Sequence, residues 1–417
     1  MRRWRALAVV VAAGLVAAGC TAGHRSPLMI GAVYPTTGAQ GPGGLEEYRG
    51  ARLAVDLANS RGGLGGRRVR LVLEDAERSD EAPAAVHRLH RQGAQVVIGS
   101  YASVVSAPAS EAAARDGMLF WETGAVGETA AGAGAGTRFF RAAPTGATLG
   151  RAAVAFIRDE LAAKLPAPGH PLRYAVAYVD DAYGRSVGLG ALDEARRSGQ
   201  AVAGTFPYDP FHADYAAVVA QIAASHPDVL FVSAYLQDGV ALRRAMLAAH
   251  LPLLASIGTS SSYCLPAFAD QLGHGAVGLF AADKPDAHNL RRDALTGEGR
   301  RLLDWAEPRH QRRYGAPMSA AALAGFANTW ALLGHVIPAA GDASPAAIAR
   351  AGLSVRLPAG TLANGSGVDF APPGSVDAGS NRRAASVIWE WVAERQHAVV
   401  WPPAFATHPI DAMAIDR

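Results

Sequence analysis

Three consecutive residues, Tyr101, Ala102 and Ser103, stand where this chain is best equipped to hold a small molecule. They follow Val96, Val97 and Ile98, an uninterrupted apolar run that reads as a buried parallel strand, and precede an Ala-rich helical segment reaching Arg115. Pro108 is kept out of a deep helical position because its ring meets the carbonyl four residues back. The helix is therefore expected to begin just upstream, with Ser106 as N-cap. Such a turn offers unpaired N–H groups, a hydroxyl and the positive end of a helix dipole, which together suit a carboxylate or another small anion. An ordinary capped turn between strand and helix has the same pattern, and these residues alone leave both readings open.

Other chemistry is thinner. Gly41, Gly43 and Gly44 lack the spacing of a dinucleotide fingerprint, and Pro42 interrupts them. No serine-nucleophile elbow is expected, which disfavours a hydrolase. The 13 histidines lie mostly in polar or helical surroundings; His87 and His90, three apart without nearby carboxylates, read as a solvated helix face. No metal site and no cofactor are expected.

The elements that position the turn come next. At 417 residues the chain exceeds one compact core and suggests two lobes, and half of its residues are apolar. The net charge of +3 is small and scattered, so nucleic acid is a poor partner. Strands expected at 29–34, 69–73, 96–98 and 118–121 alternate with helices at 45–60 and 81–91 and after the 101–103 turn. That alternation means a parallel sheet covered on both faces. The pattern restarts near Pro144-Thr145-Gly146, with an amphipathic helix at 149–165 and strands at 174–179, 202–206, 229–234 and 253–257. Their ends carry Asp180-Asp181-Ala182-Tyr183, Tyr235-Leu236-Gln237-Asp238 and Gly258-Thr259-Ser260-Ser261, at the carboxyl edge where open α/β sheets bind ligands. After a strand at 277–281, helices are expected at 300–314 and 320–335, an irregular stretch at 358–380, and an antiparallel pair at 385–392 and 399–401.

The N-terminus is an address. Arg2, Arg3 and Arg5 precede an apolar run, 6–16, too short to anchor as a span, and Ala17-Ala18-Gly19-Cys20 follows. This resembles a bacterial lipoprotein signal, with Ala17 where leucine is commoner; a plain secretory signal is the alternative. Both make the protein exported, and a lipidated Cys20 would hold it at a membrane surface. Cys264 is then left without a disulfide partner. No later apolar run is expected to reach membrane-spanning length.

In order along the chain, IGAVYPTTGAQGPGG, AVDLAN, GGLGGRRVRLVLED, VVIGS, DDAYG and DVLFVSAY resemble the branched-chain amino acid binding protein family, over roughly 28–405. Its members are extracytoplasmic solute receptors that feed ABC transporters. The resemblance implies an α/β fold of the type I periplasmic-binding-protein kind, two Rossmann-like lobes joined by three crossover strands around a ligand cleft. Laid on this chain it divides 1–19 as signal, 20–27 as tether, 28–143 plus 281–376 as lobe one and 144–280 plus 377–417 as lobe two. It matches the family's carboxylate-binding turn to Tyr101, Ala102 and Ser103, the second lobe-one loop to Gly124, Ala125 and Val126, and the lobe-two tyrosines to Tyr183 and Tyr235. Val126 lacks the hydroxyl common there, so one anchoring hydrogen bond is expected either to be missing or to come from Thr123.

The largest departure is at Ser260, where the family's amino-acid receptors place an acid for the ligand's ammonium and this chain has only hydroxyls. Leaving an ammonium unpaired in a closed cleft costs several kcal/mol. Glu122 and Asp238 are the possible charge partners, and an amide or urea-like solute is the competitor to an amino acid. The implied function is a receptor, not an enzyme, and a monomer whose partners are a solute, an ABC permease and, through the lipid, a membrane. The alternatives are a sensor of the same fold that signals to a partner protein and an exported hydrolase.

Overall fold

The computed structural model describes residues 26–127 and 138–411. The expected signal segment, Cys20 and the Ala/Gly run 130–136 lie outside the described residues.

The first sheet forms from near-continuous apolar strands, as burial on both faces demands. β1 (Leu28–Tyr34), β2 (Val69–Asp75), β3 (Val96–Gly99), β4 (Leu119–Glu122) and β5 (Phe139–Arg141) run parallel in the order β2-β1-β3-β4-β5. One face is covered by α2 (Ala82–Arg91) and α3 (Ser103–Arg115). The other is covered by α1 (Gly41–Ser60) and by helices from far along the chain: α9 (Gly297–Tyr314), α10 (Ala320–Trp330, continuing through a wider turn to Ala340) and α11 (Pro345–Ser354).

The second sheet is built from β6 (Arg173–Val179), β7 (Ala201–Tyr208), β8 (Val229–Ser233), β9 (Ala255–Thr259), β10 (Phe280–Asp283), β11 (Val387–Ala393) and β12 (Gln396–Trp401), in the order β12-β11-β10-β9-β8-β6-β7. β11 is antiparallel to both neighbours, as the alternation at the C-terminus predicts. α4 (Gly146–Phe156) and α5 (Ala182–Arg197) cover one face; α6 (Tyr215–Ala224), α7 (Leu236–Ala248) and α8 (Pro266–Leu272) cover the other. The two lobes are joined where β5 passes to α4, where β10 passes toward α9, and where the chain returns through Asn381 to β11.

Three expectations are corrected. α1 starts at Gly41, four residues early, because Pro42 sits in its first turn, where proline's missing N–H costs nothing. α3 starts at Ser103 with Ala102 in the N-cap position, not at Ser106, and Pro108 lies inside it. The helix Ala320–Ala340 is long and apolar enough to cross a membrane by length and composition, although 83% of its most apolar window is buried inside the protein.

Candidate functional site

The turn after β3 is where the backbone leaves ordinary geometry. Tyr101 has a φ of 64°, the left-handed region that an aromatic side chain rarely adopts. The turn holds its ring against α1, where a β-carbon added to Gly43 would lie 2.2 Å from the phenolic oxygen. Ser103 Oγ accepts the Gly127 N–H at 2.9 Å, and the Ala102 N–H turns back to the Ser100 carbonyl at 2.6 Å.

Glu122, at the end of β4, is fully buried and organises the neighbouring loops. Its Oε1 accepts the backbone N–H of Ser100, Gly124 and Ala125 at 2.6, 3.0 and 2.8 Å, and its Oε2 accepts the hydroxyls of Ser100 and Ser106 at 3.1 and 2.5 Å. Ser106, expected as a cap, is instead a donor to this carboxylate. Thr123 faces inward: its Oγ1 lies 2.7 Å from both Tyr34 OH and Glu47 Oε1 and 3.1 Å from the Gly99 carbonyl. Val126 packs into the core of the second lobe, which accounts for its apolar side chain.

Beneath Gly124 lies a group that the sequence reading passed over. Glu47 of α1 is fully buried, and its Oε2 has no hydrogen-bond partner. A β-carbon on Gly124 would sit 1.6 Å from that oxygen, so only glycine lets the turn close over the carboxyl. Burial, helped by the nearby Glu122 charge, pushes the Glu47 carboxyl up to about 8. Lys284, just past β10, is also buried; its ammonium lies 3.4 Å from Asp283 Oδ1 and 3.5 Å from the Gly124 carbonyl. Burial alone would lower the Lys284 value, but the charges of Asp283 and Glu47 hold it above its ordinary one. Two cues to this group were available: Glu47 shares a helix face with Ala51, Ala54 and Ala58, all buried, and Lys284 is one of two lysines in the chain.

On the second lobe, Tyr183 and Tyr235 come together with ring centroids 5.2 Å apart. The Tyr183 hydroxyl is 2.6 Å from Thr259 Oγ1 and accepts the Ser261 N–H at 3.3 Å. The hydroxyl-rich stretch around Ser260, itself buried, thus serves Tyr183. Tyr235 donates to Asp181 Oδ2 at 2.6 Å, while Asp181 Oδ1 caps α5 by accepting the Gly184 N–H at 2.9 Å. Asp238 is buried and accepts the Tyr208 hydroxyl at 2.7 Å, and burial raises its carboxyl. The lobes approach closely, since a β-carbon on Gly127 would lie 3.2 Å from the Ala182 carbonyl.

A Gly-x-Ser-x-Gly spacing does occur at Gly184–Gly188, against the expectation of none. It lies inside α5 rather than at a strand-to-helix turn, and the Ser186 hydroxyl is buried with no hydrogen-bond partner. Among the described residues no cluster of His, Cys, Asp and Glu could hold a metal ion.

One parallel and one mainly parallel sheet, three crossings and binding-type loops at strand ends agree with comparison to known sequences. A family model described as periplasmic binding protein matches residues 27–374. The chain belongs to the periplasmic binding protein family. The Leu/Ile/Val-binding protein homolog 8 of Brucella abortus is 28% identical over 365 residues, covering 87% of each chain. The branched-chain amino acid transporter substrate-binding protein LivJ of Streptococcus pneumoniae, solved with isoleucine, superposes with a TM-score of 0.71 at 14% identity, covering 90% of this chain and all of that one. A solute-binding protein of an ABC transporter from R. palustris, solved with benzoate, superposes with a TM-score of 0.70 at 18% identity, covering 93% and 99%. These likenesses establish the two-lobed fold of this family.

Proposed function

We propose that this protein is an extracytoplasmic solute-binding receptor of an ABC importer, which closes its two lobes on a small polar metabolite and presents it to a permease. One observation carries the reading: the strained Tyr101 turn of lobe one and the Tyr183–Tyr235 pair of lobe two belong to lobes that approach closely where Gly127 meets the Ala182 carbonyl, in a chain of this family. Backbone strain in an over-determined turn is characteristic of ligand clamps. The relatives' names support a solute of amino-acid size. Residues 28–143 plus 281–376 form lobe one in this reading and 144–280 plus 377–417 lobe two, with Cys20 as the lipid anchor of a monomer. Tyr101, Ser103, Gly124 and Ala125 contact the solute from one side; Tyr183, Tyr235 and Ser260 contact it from the other.

A thermal-shift screen against amino acids, amides and ureas identifies the solute, since a tight ligand raises the melting temperature by mass action. With it in hand, Ser103→Ala and Tyr183→Ala each weaken binding at least ten-fold by titration calorimetry. Unchanged affinity in both variants places the site elsewhere.

A further inference from the structure

Resting on the receptor reading with its lipid anchor at Cys20, we infer that the amino edge of the lobe-one sheet is a docking face for the headgroups of anionic phospholipids, on which the anchored receptor seats with its solute loops turned away. The strands of a parallel sheet are all entered from one edge. Here β1 is entered from Ser26, β2 from the turn 61–68, β3 from 91–95, β4 from 115–118 and β5 from Arg138. These approaches bring together Arg61, Arg67, Arg68, Arg91, Arg115 and Arg138 against one acid, Asp116, which His87 Nδ1 engages at 2.6 Å. Scattered along the sequence, the arginines are gathered by the topology. Arg61, Arg68, Arg91 and Arg115 are exposed. Glu111 lies 3.9 Å from Arg115, and among the described residues Arg68 and Arg91 pair with no acid.

The place where the chain enters this edge says what faces it. Arg67 donates from Nε to the Ser26 carbonyl at 2.8 Å and from Nη2 to the Pro27 carbonyl at 3.2 Å, so the chain is held in the basic corner. Cys20 is six residues before Ser26, a stretch that spans at most about 20 Å. A lipid on Cys20 therefore keeps this edge close to the bilayer, while the Tyr101 and Gly124 loops stand at the opposite strand ends. Net charge would not draw the receptor there. Of the +3, Arg2, Arg3 and Arg5 belong to residues 1–19, which hold no acid, so the chain from Cys20 onward carries 3 − 3 = 0. Attraction to an anionic surface then rests on local charge, about a five-fold gain in affinity for each arginine in reach. Such contacts are screened by salt, so the seat is reversible when the receptor turns toward a permease.

Vesicle sedimentation in about 0.1 M NaCl tests this on the chain from residue 20 onward with Cys20→Ser, which removes the lipid. The expected result is binding to vesicles containing one-third phosphatidylglycerol at least ten-fold tighter than to pure phosphatidylcholine, with release at high salt. Arg68→Glu, Arg91→Glu and Arg115→Glu combined should weaken it ten-fold or more. The same change at the exposed lobe-two residues Arg151, Arg196 and Arg244 should weaken it less than two-fold, with both variants melting as the parent does. Hydrogen exchange, which needs no variant, should slow at 61–68 and 115–118 when the parent chain meets the anionic vesicles. No preference for anionic vesicles, equal loss in the two triple variants, or slowing confined to other segments overturns the inference. The receptor reading is judged separately by the solute screen, and the anchor by the acylated mass of the processed protein.

Discussion

Burial of Glu47 has a consequence for stability that can be signed. Its carboxyl rises from an ordinary 4.5 to about 8, so between those values the folded protein holds a proton that the unfolded chain has released. Folding stability then declines as pH climbs through that window, by at most about 1.4 kcal/mol per pH unit. Glu47→Gln removes the titration and keeps the shape. Its melting temperature should rise relative to the parent protein by a few degrees between pH 5 and pH 8, and parallel melting curves across that range would refute the assignment. Glu47 also marks the limit of reading residues singly. The family resemblance assigns Tyr183 and Tyr235 to one wall, but the Gly124 turn that covers Glu47 comes from a distant stretch of chain. Glu122 was legible as an acid at a strand end, whereas its five donors come from three separate segments and could not be foreseen.

Among the elements, the strands and most helices follow from apolar runs and periodicity, and the failures have physical causes. α7 did not stand out because Arg243, buried and hydrogen-bonded to the Gly275 carbonyl at 2.9 Å, interrupts the stripe of Val240, Leu242 and Met246. α3 was shifted because a proline one turn inside a helix forfeits a single bond, which its packing absorbs. The α1–α10 contact was likewise invisible, since it depends on backbones meeting. A β-carbon on Gly50 would lie 1.9 Å from the Ala322 carbonyl oxygen, and one on Gly325 would lie 2.0 Å from that of Glu47. Neither backbone can retreat without moving a helix. Gly50→Ala and Gly325→Ala should each cost about 2 kcal/mol, the usual scale of overpacking, read as a lower urea midpoint at unchanged slope. Full stability in both would mean that these helices pack less tightly than described.

At the scale of the molecule, relative motion of the lobes has to pass through the three crossings, and Asn381 ties two of them together. Its backbone N–H donates to the Arg141 carbonyl at 2.9 Å, and its Nδ2 donates to Ala142 and Gly367 carbonyls at 3.2 and 2.9 Å. Its Oδ1 accepts the N–H groups of Asp369 and Arg383 at 2.9 and 3.1 Å. One buried side chain thereby fixes the first crossing to the third and to the irregular stretch between. Two-lobed organisation was legible from the restart near Gly146, but this tie was not, because its partners lie some 240 residues apart in sequence. Asn381→Ala strands two donors and two acceptors, at about 1 kcal/mol or more each where water does not replace the lost partner. Because each sheet has its own core, the loss should stay at the joint. Hydrogen exchange should quicken at the amides of Asp369 and Arg383 and at the neighbouring crossing residues, while those of β1 and β8 keep their protection. Faster exchange throughout both sheets would show instead that the joint and the cores unfold as one unit.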